Sequence, residues 1–234
     1  WKDNMQQNDT LSKIIPMADV SGSMESDNCL PLFNSIGLSI RVSEKTHPAF
    51  KNRILTFSEN PSWVKLSDDM TFCEKVYKVR NAEWGGNTNI YKAMELICDT
   101  LIYNNIEPNE VKNLTLCILS DMQIDDTLMG KNYNTLYDNI KLLFNNAGLQ
   151  TKFKQPYEPP HILFWNLRKT KGFPVKSDQK NVTMISGYNE LLLNTFREKG
   201  LSALKNTTPI DMLNDILDNN RYYHIKDVLQ HRIL

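Results

Sequence analysis

The sequence predicts an α/β fold in which a mostly parallel sheet is covered by helices on both faces. Short apolar runs alternate along the chain with segments whose apolar residues recur at helical spacing. One pair of runs, Arg53 to Ser58 and Trp63 to Leu66, is separated by four residues that include a turn-forming proline. This pair predicts a hairpin. We therefore expect a doubly wound, six-stranded sheet with one antiparallel edge strand.

The composition allows one well-packed domain. The chain has 234 residues, of which 41% are hydrophobic, and its 27 basic residues balance its 27 acidic residues. Neutral net charge argues against strong nucleic-acid binding by this chain alone. We expect a polar lead-in over residues 1–13 and a single domain with a C-terminal helical tail over residues 14–234. The first residue is Trp1, so we also expect the chain to be the C-terminal part of a longer protein.

The cysteines and the hydropathy predict a cellular location. The four cysteines are scattered and form no CxxC pair, and a chain of this length does not need disulfides for stability. No apolar run approaches the length that spans a bilayer. We therefore expect an intracellular, cytoplasmic protein without membrane association, whose oligomeric state the sequence leaves open.

Six apolar runs are the predicted strands. The first ends in Asp19, and the fourth, Leu114 to Asp121, is continuously apolar, which is typical of a central parallel strand whose carboxyl end meets a ligand. The six runs are 14–19, 53–58, 63–66, 114–121, 161–166 and 182–186.

Helical periodicity lies between these runs. In the first helix, Pro31 suits the first turn, and the repeat of Phe33, Ile36 and Ile40 predicts a buried stripe. A later helix is expected to stop at Gly148. The predicted helices begin near residues 31, 71, 90, 136, 191 and 208.

Oxygen-bearing side chains follow two of the predicted strands. Asp19, Ser21 and Ser23 alternate after the first strand, with Gly22 expected to permit a tight turn. Asp121 ends the fourth strand, and Thr88 lies in a glycine-containing loop. Because ligands bind at the carboxyl ends of parallel strands, we expect these three loops to converge. Oxygen donors favour a hard cation such as Mg²⁺.

These three loops resemble the DxSxS, threonine and aspartate elements of the metal-ion-dependent adhesion site in von Willebrand factor A domains, which have a Rossmann-like fold. The resemblance implies that Ser21 and Ser23 bind Mg²⁺ directly, with Mn²⁺ or Ca²⁺ as alternatives. It implies that Thr88 binds directly or through water, and that Asp19 and Asp121 act mainly through water. A Glu or Asp carboxylate of a protein partner would complete the coordination.

Further stretches resemble a family of unknown function in which an A domain follows a large helical region. The stretches are SDMQID, FWNLRKTKGFPV and VTMISGYNELLL. This arrangement is similar to that of the Ro ribonucleoprotein autoantigens. The likeness implies an alternative function as the C-terminal module of an RNA-binding protein, with RNA bound mainly by an upstream region.

The candidate residues also have ordinary structural interpretations. Ser21 and Ser23 can be turn hydroxyls, Thr88 a helix N-cap, and the two aspartates acceptors of backbone amides. Each of these is the more common role for one such residue, whereas the complete set of five favours a metal site.

A basic segment follows the fifth predicted strand. Arg168, Lys169 and Lys171 come directly after that strand, so they are expected at the same sheet edge as the metal. We interpret them as candidate contacts to an anionic partner, the alternative being a solvated loop.

The sequence gives no support for catalysis. A phosphatase of the haloacid dehalogenase type would carry a second acid two residues after the strand-end aspartate, where this chain has Ser21. No His, Lys or Cys is placed as a base or nucleophile beside the three loops, and the four histidines have no metal-ligand spacing. We therefore expect a binding domain and not an enzyme.

Overall fold

The computed structural model describes residues 11–82, 88–122, 133–168 and 181–188, and beyond these only positions 210, 214 and 217. The chain divides into two compact units, Trp1–Gly187 and Tyr188–Leu234. All elements described below lie in the first unit. The helices predicted near residues 191 and 208 fall outside the described ranges, and the single domain expected over residues 14–234 stays a prediction.

The sheet has six strands in the order β3-β2-β1-β4-β5-β6. Every neighbouring pair is parallel except β2 and β3, so β3 is the antiparallel edge strand that the hairpin predicted. The chain order reverses at β1, which lies between β2 and β4. The strands are β1 (Ile14–Ala18), β2 (Arg53–Thr56), β3 (Trp63–Lys65), β4 (Thr115–Ser120), β5 (His161–Asn166) and β6 (Val182–Ser186).

Helices connect these strands. The described helices are α1 (Leu30–Lys45), α2 (Phe72–Arg80), α3 (Ile90–Tyr103), α4 (Pro108–Val111) and α5 (Tyr133–Gln150). Thr71 and Glu74 form a reciprocal capping box at the start of α2. The one-turn helix α4 was not predicted, because four residues are too few to display a helical repeat. Among the described helices, none is both long enough and apolar enough to cross a bilayer.

The two faces of the sheet are buried by different helices. Ile15 and Met17 of β1 pack into a core cluster that also contains residues of α3 and α5. Side chains alternate along a strand, so Ile14 and Ala18 lie on the opposite face, where α1 packs against β1 and β4. The mixed α/β fold with a doubly wound sheet is thus confirmed.

The buried stripe of α1 differs from the predicted one. Phe33 is 56% exposed, whereas Leu32, Ile36 and Ile40 are buried. The stripe also contains three buried serines that hydropathy assigns to the solvent side. Their hydroxyls donate to backbone carbonyls at 2.8–3.2 Å, which satisfies them inside the core; they are Ser35, Ser39 and Ser43.

All four cysteines lie in the described part of the chain and are free thiols. Burial raises the pKa of the Cys98 and Cys117 thiols well above the ordinary range, so both are unreactive at neutral pH. They act as small apolar core residues.

The expectation that Gly148 ends its helix is wrong, since α5 continues to Gln150. The glycine has a packing role instead. A Cβ atom at Gly148 would lie 2.2 Å from the carbonyl oxygen of Gln155 and 2.5 Å from the amide nitrogen of Tyr157. Only glycine permits the returning chain to pass this close to the helix.

We predict that Gly148→Ala destabilises the protein by about 1–3 kcal/mol, because the clash is with backbone and not with a flexible side chain. Gly37→Ala in α1 is the matched control, since nothing lies within 4 Å of its added Cβ. It should gain about 0.5–1 kcal/mol through helix propensity. Urea unfolding of both variants checks this, and equal stabilities would contradict the packing role.

Candidate metal centre

The two candidate carboxylates lie at the carboxyl ends of neighbouring strands. Asp19 directly follows β1, and its backbone N–H donates to the Leu119 carbonyl of β4 at 3.0 Å. Asp121 directly follows β4. These strands meet where the strand order reverses, which is where open α/β sheets bind ligands.

The Asp19 carboxylate is buried and fixed by hydrogen bonds to both oxygens. Asp19 is only 2% exposed. Its Oδ1 accepts from the Ser21 backbone N–H at 2.9 Å, and its Oδ2 accepts from the Ser120 hydroxyl at 2.6 Å. The Ser120 Oγ in turn accepts from the Met122 N–H at 3.1 Å. Asp19 is therefore held in one orientation by both neighbouring loops.

The charge of Asp19 is disfavoured where it lies. Burial raises the pKa of the Asp19 carboxyl above its ordinary value of 3.8, and the nearby Asp121 charge acts in the same direction. Hydrogen bonds from Ser120 and Ser21 oppose this increase. A divalent cation beside the two carboxylates would favour their ionised forms, so the electrostatics fit a cation site.

The two serine hydroxyls lie nearer to solvent than the carboxylates. Ser21 Oγ and Ser23 Oγ are 3.0 Å apart, and Ser21 is exposed. The turn Gly22–Glu25 holds this pair, anchored by the buried Met24, whose N–H donates to the Ser21 carbonyl. Gly22 has open space around it and no positive φ, so the turn does not require a glycine there.

The hydroxyl spacing matches adjacent corners of a magnesium octahedron. With Mg–O distances of about 2.0–2.1 Å, neighbouring ligand oxygens lie about 2.8–3.0 Å apart. Calcium, with oxygen distances of about 2.3–2.6 Å, prefers wider spacing. The 3.0 Å separation is that of the hydrogen bond between the two hydroxyls, so it is compatible with adjacent magnesium ligands and selects no particular cation.

Thr88 lies in a loop that is attached to the same sheet edge. The residue is buried, and the next residue, Asn89, donates its backbone N–H to the Ser58 carbonyl at 3.0 Å. Ser58 continues the chain beyond β2, whose neighbour is β1. The N-cap of α3 is Asn89, which accepts from the Lys92 N–H, and not Thr88. The N-cap interpretation of Thr88 is thus wrong.

Arg168 reaches the metal centre from the loop after β5. Its Nη1 lies 3.4 Å from Asp121 Oδ2, and its backbone N–H donates to Asn166 Oδ1 at 3.0 Å. The Arg168 guanidinium thus lies beside Asp121, at the sheet edge where the sequence analysis expected it. Lys169 and Lys171 fall outside the described residues.

Ser120 is the positioning residue that the sequence prediction did not include in the site. It is fully buried and joins Asp19 to Met122 through its hydroxyl. Met122 has φ 63°, a left-handed conformation that is uncommon for a side chain of its type. The only sequence signal for Ser120 is its place before Asp121 at the strand end.

The candidate donors are mainly hydroxyl and carboxylate oxygens. Within the described ranges, no three His, Cys, Asp or Glu side chains form a group that fits a metal. A metal here would depend on the Ser21, Ser23 and Thr88 hydroxyls together with the two aspartates, a set that suits a hard cation and does not suit zinc or copper.

Known proteins resemble this chain in sequence or in fold. An uncharacterised protein of Acanthamoeba polyphaga mimivirus is 30% identical over 220 residues, which cover 93% of this chain. This chain spans 35% of that relative's length. The crystal structure of the Deinococcus radiodurans Ro (RSR) protein superposes with a TM-score of 0.53 at 14% identity. The match covers 83% of this chain and 36% of the Ro chain, and it shows a shared fold.

Most of the sequence also matches a protein family. Residues 13–226 match the family described as "Domain of unknown function (DUF7788)". The match extends over both compact units and includes every residue of the candidate metal centre. The chain therefore belongs to the DUF7788 family.

Proposed function

We propose that this domain binds a partner protein through a divalent cation, which is Mg²⁺ or Mn²⁺. The observation that carries the proposal is the arrangement around Asp19: a buried carboxylate, fixed at both oxygens, lies beside a turn that carries two adjacent serine hydroxyls. Such rigid placement of ligand oxygens before metal entry lowers the cost of binding.

The division of charge in the site supports a role in binding an anion. The neutral hydroxyls of Ser21 and Ser23 face solvent, whereas the charged Asp19 and Asp121 are buried. A cation held directly by hydroxyls and only indirectly by carboxylates keeps much of its positive charge. Mg²⁺ also retains exchangeable water ligands, and a Glu or Asp carboxylate of a partner is the ligand that replaces one of them.

Positive side chains beside the cation would assist the encounter with that partner. Arg168 lies at the rim of the site, and Lys169 and Lys171 follow it in sequence. Charges at the edge of an interface mainly increase the association rate, and salt reduces their effect.

Capture of partners in Mg²⁺ and in EDTA tests the proposal. Wild-type protein should retain its partner only with metal, and Thr88→Ala should weaken retention even where some metal affinity survives. The contact acid is then located by changing Glu to Gln and Asp to Asn across the partner's footprint. One such change should abolish binding, and undiminished binding at every acidic position would contradict the carboxylate bridge.

A second candidate function follows from the fold. The Ro structure shares this fold at low identity, which favours a role as the C-terminal module of a ribonucleoprotein-type protein, with RNA bound mainly elsewhere. Recovery of RNA in the same capture experiment, independent of metal, would favour this second function.

We also propose that the site does not catalyse a reaction. Position 21, where a phosphatase of the haloacid dehalogenase type needs its second acid, is a serine whose hydroxyl pairs with Ser23. Metal-saturated protein should therefore hydrolyse no phosphomonoester, nucleotide or peptide faster than metal-free protein does.

A further inference from the structure

Arg168 occupies an unusual position for a residue beside a cation site. Its guanidinium Nη1 lies 3.4 Å from Asp121 Oδ2, and Asp121 is one of the two carboxylates of the proposed metal centre. The Asp121 side chain is 1% exposed and the Arg168 side chain is 28% exposed. A buried carboxylate in the metal-free protein is thus partnered by a positive group that reaches in from solvent.

The backbone at Arg168 is fixed, so the approach of the side chain is built into the fold. The preceding residue, Leu167, is fully buried, and its N–H donates to the Ser120 carbonyl at 2.9 Å. The Arg168 N–H donates to Asn166 Oδ1 at 3.0 Å. The Leu167 bond extends the pairing of β4 and β5 by one residue past the end of β5, and the Arg168 bond fixes its amide to the last residue of β5. Together they place the base of the arginine beside Asp121.

The ion pair itself is long and displaceable. Strong charge-assisted hydrogen bonds between a guanidinium and a carboxylate measure about 2.7–2.9 Å. The 3.4 Å separation and the partial exposure of Arg168 describe a weaker contact, from which the head group can swing into solvent while its stem stays in place.

We propose that Arg168 is a tethered counter-ion that competes with the divalent cation for Asp121. This inference rests on the proposed metal site. In the metal-free protein the guanidinium offsets the buried Asp121 charge, and it repels a cation that approaches the same carboxylate.

Once the metal is bound, the two carboxylates formally balance it and the guanidinium leaves one positive charge in excess. A single carboxylate from a partner restores neutrality. Arg168 therefore keeps the affinity for free metal low and gives the metal-loaded site its preference for an anion.

The affinity for Mg²⁺ alone, measured by isothermal titration calorimetry, tests the competition. Exposed ion pairs contribute little and buried pairs much more, so for this half-buried pair we expect Arg168→Gln to bind Mg²⁺ about tenfold more tightly. Arg168→Lys keeps the charge and should stay nearer to wild type. Lys51→Gln is the matched control, because Lys51 pairs with the exposed Asp68 at 3.0 Å and precedes β2, at the end of the strands away from the site. It should bind Mg²⁺ as wild type does.

Thermal unfolding in EDTA separates this inference from the proposed function. Arg168→Gln should melt at a lower temperature than wild type in EDTA, because the buried Asp121 carboxylate loses the favourable guanidinium charge 3.4 Å away. Weaker or unchanged Mg²⁺ binding by Arg168→Gln, or an unchanged melting temperature in EDTA, would overturn the competition while leaving the metal site in place. Absence of Mg²⁺ binding in wild type and in all three variants would overturn both.

Discussion

Asp19→Asn should abolish stabilisation by Mg²⁺ while leaving the metal-free protein at least as stable as wild type. A ligand that binds only the native state adds about 2.7 kcal/mol at roughly 100 times its dissociation constant, and this gain should vanish in the variant. The asparagine keeps the shape of the side chain and can still accept from the Ser21 N–H. Its amide nitrogen replaces the oxygen that accepts from Ser120 and can donate to the Ser120 hydroxyl oxygen instead. The variant lacks the charge that burial disfavours.

The pH dependence of stability provides a second readout of the same variant. Because the pKa of folded Asp19 is raised above 3.8 by burial, the folded metal-free protein retains a proton there that the unfolded chain releases. Wild type in EDTA should therefore lose stability as pH rises from 3.8 through the raised pKa. Asp19→Asn should lack this loss.

Asp68→Asn is the matched control for both measurements. Asp68 is exposed and pairs with Lys51, which precedes β2 at the opposite edge of the sheet. Its pKa is lowered by hydrogen bonds from Asn52 and Lys51. This variant should retain the full Mg²⁺ shift. A metal-free Asp19→Asn protein that is much less stable than wild type, or that still responds to Mg²⁺, would contradict the assignment.

Loss of one partner from the buried ion pair between α1 and α2 should destabilise the protein severely. Lys75 Nζ lies 2.7 Å from Glu44 Oε1, with side chains 6% and 3% exposed. Lys75→Met removes the ammonium that pairs with the buried Glu44 carboxylate, and loss of one partner from a buried ion pair costs about 3–5 kcal/mol. Joint replacement by Lys75→Met and Glu44→Leu removes both charges and should restore most of the stability.

Urea unfolding at several protein concentrations measures these stabilities, and the surface pair of Lys51 and Asp68 is the control. The Lys51 side chain is 46% exposed and that of Asp68 is 66% exposed. Lys51→Met should therefore cost no more than about 1 kcal/mol. A Lys75→Met cost as small as that of Lys51→Met would show that the buried pair is dispensable, and a double variant no better than the single one would contradict the charge argument.

The sheet was predictable because each strand is a local signal. Runs such as Leu114 to Asp121 are mostly apolar up to the polar pair at their end, and a parallel strand buried on both faces favours such a run. The hairpin was predictable for the same reason, since Pro61 and its neighbours mark the turn within a few residues. The order of the strands was not predicted, because it depends on pairing between residues that are far apart in the chain.

The features that sequence reasoning missed depend on contacts between distant residues. A glycine near the end of a periodic segment is typical of a helix terminus, so Gly148 was interpreted as one. Its packing role depends on the backbone of Gln155, whose close approach the local sequence does not show. Hydropathy places the serines of α1 on the solvent side because it does not reveal their hydrogen-bond acceptors. The acceptor of Ser35 is the Leu119 carbonyl, 84 positions away. Periodicity describes one element at a time, so it cannot report such partners.

The candidate site divides in the same way. Asp19, Ser21 and Ser23 were predictable as a local pattern, and Asp121 as a strand end. Ser120 was not identified as a positioning residue, because its role is to donate to an aspartate 101 residues away. The Ser120 hydroxyl links the loop after β4 to the loop after β1, and no local pattern in the sequence indicates this link.

Calorimetric titration of EDTA-stripped wild-type protein with Mg²⁺, alongside the Ser21→Ala, Ser23→Ala double variant, tests the proposed metal centre. We expect one saturable site in wild type and none in the double variant, which loses both neutral ligand oxygens but keeps Asp19 and Asp121. Equal binding by the two proteins, or the absence of saturable binding in wild type, would contradict a metal centre at this edge of the sheet.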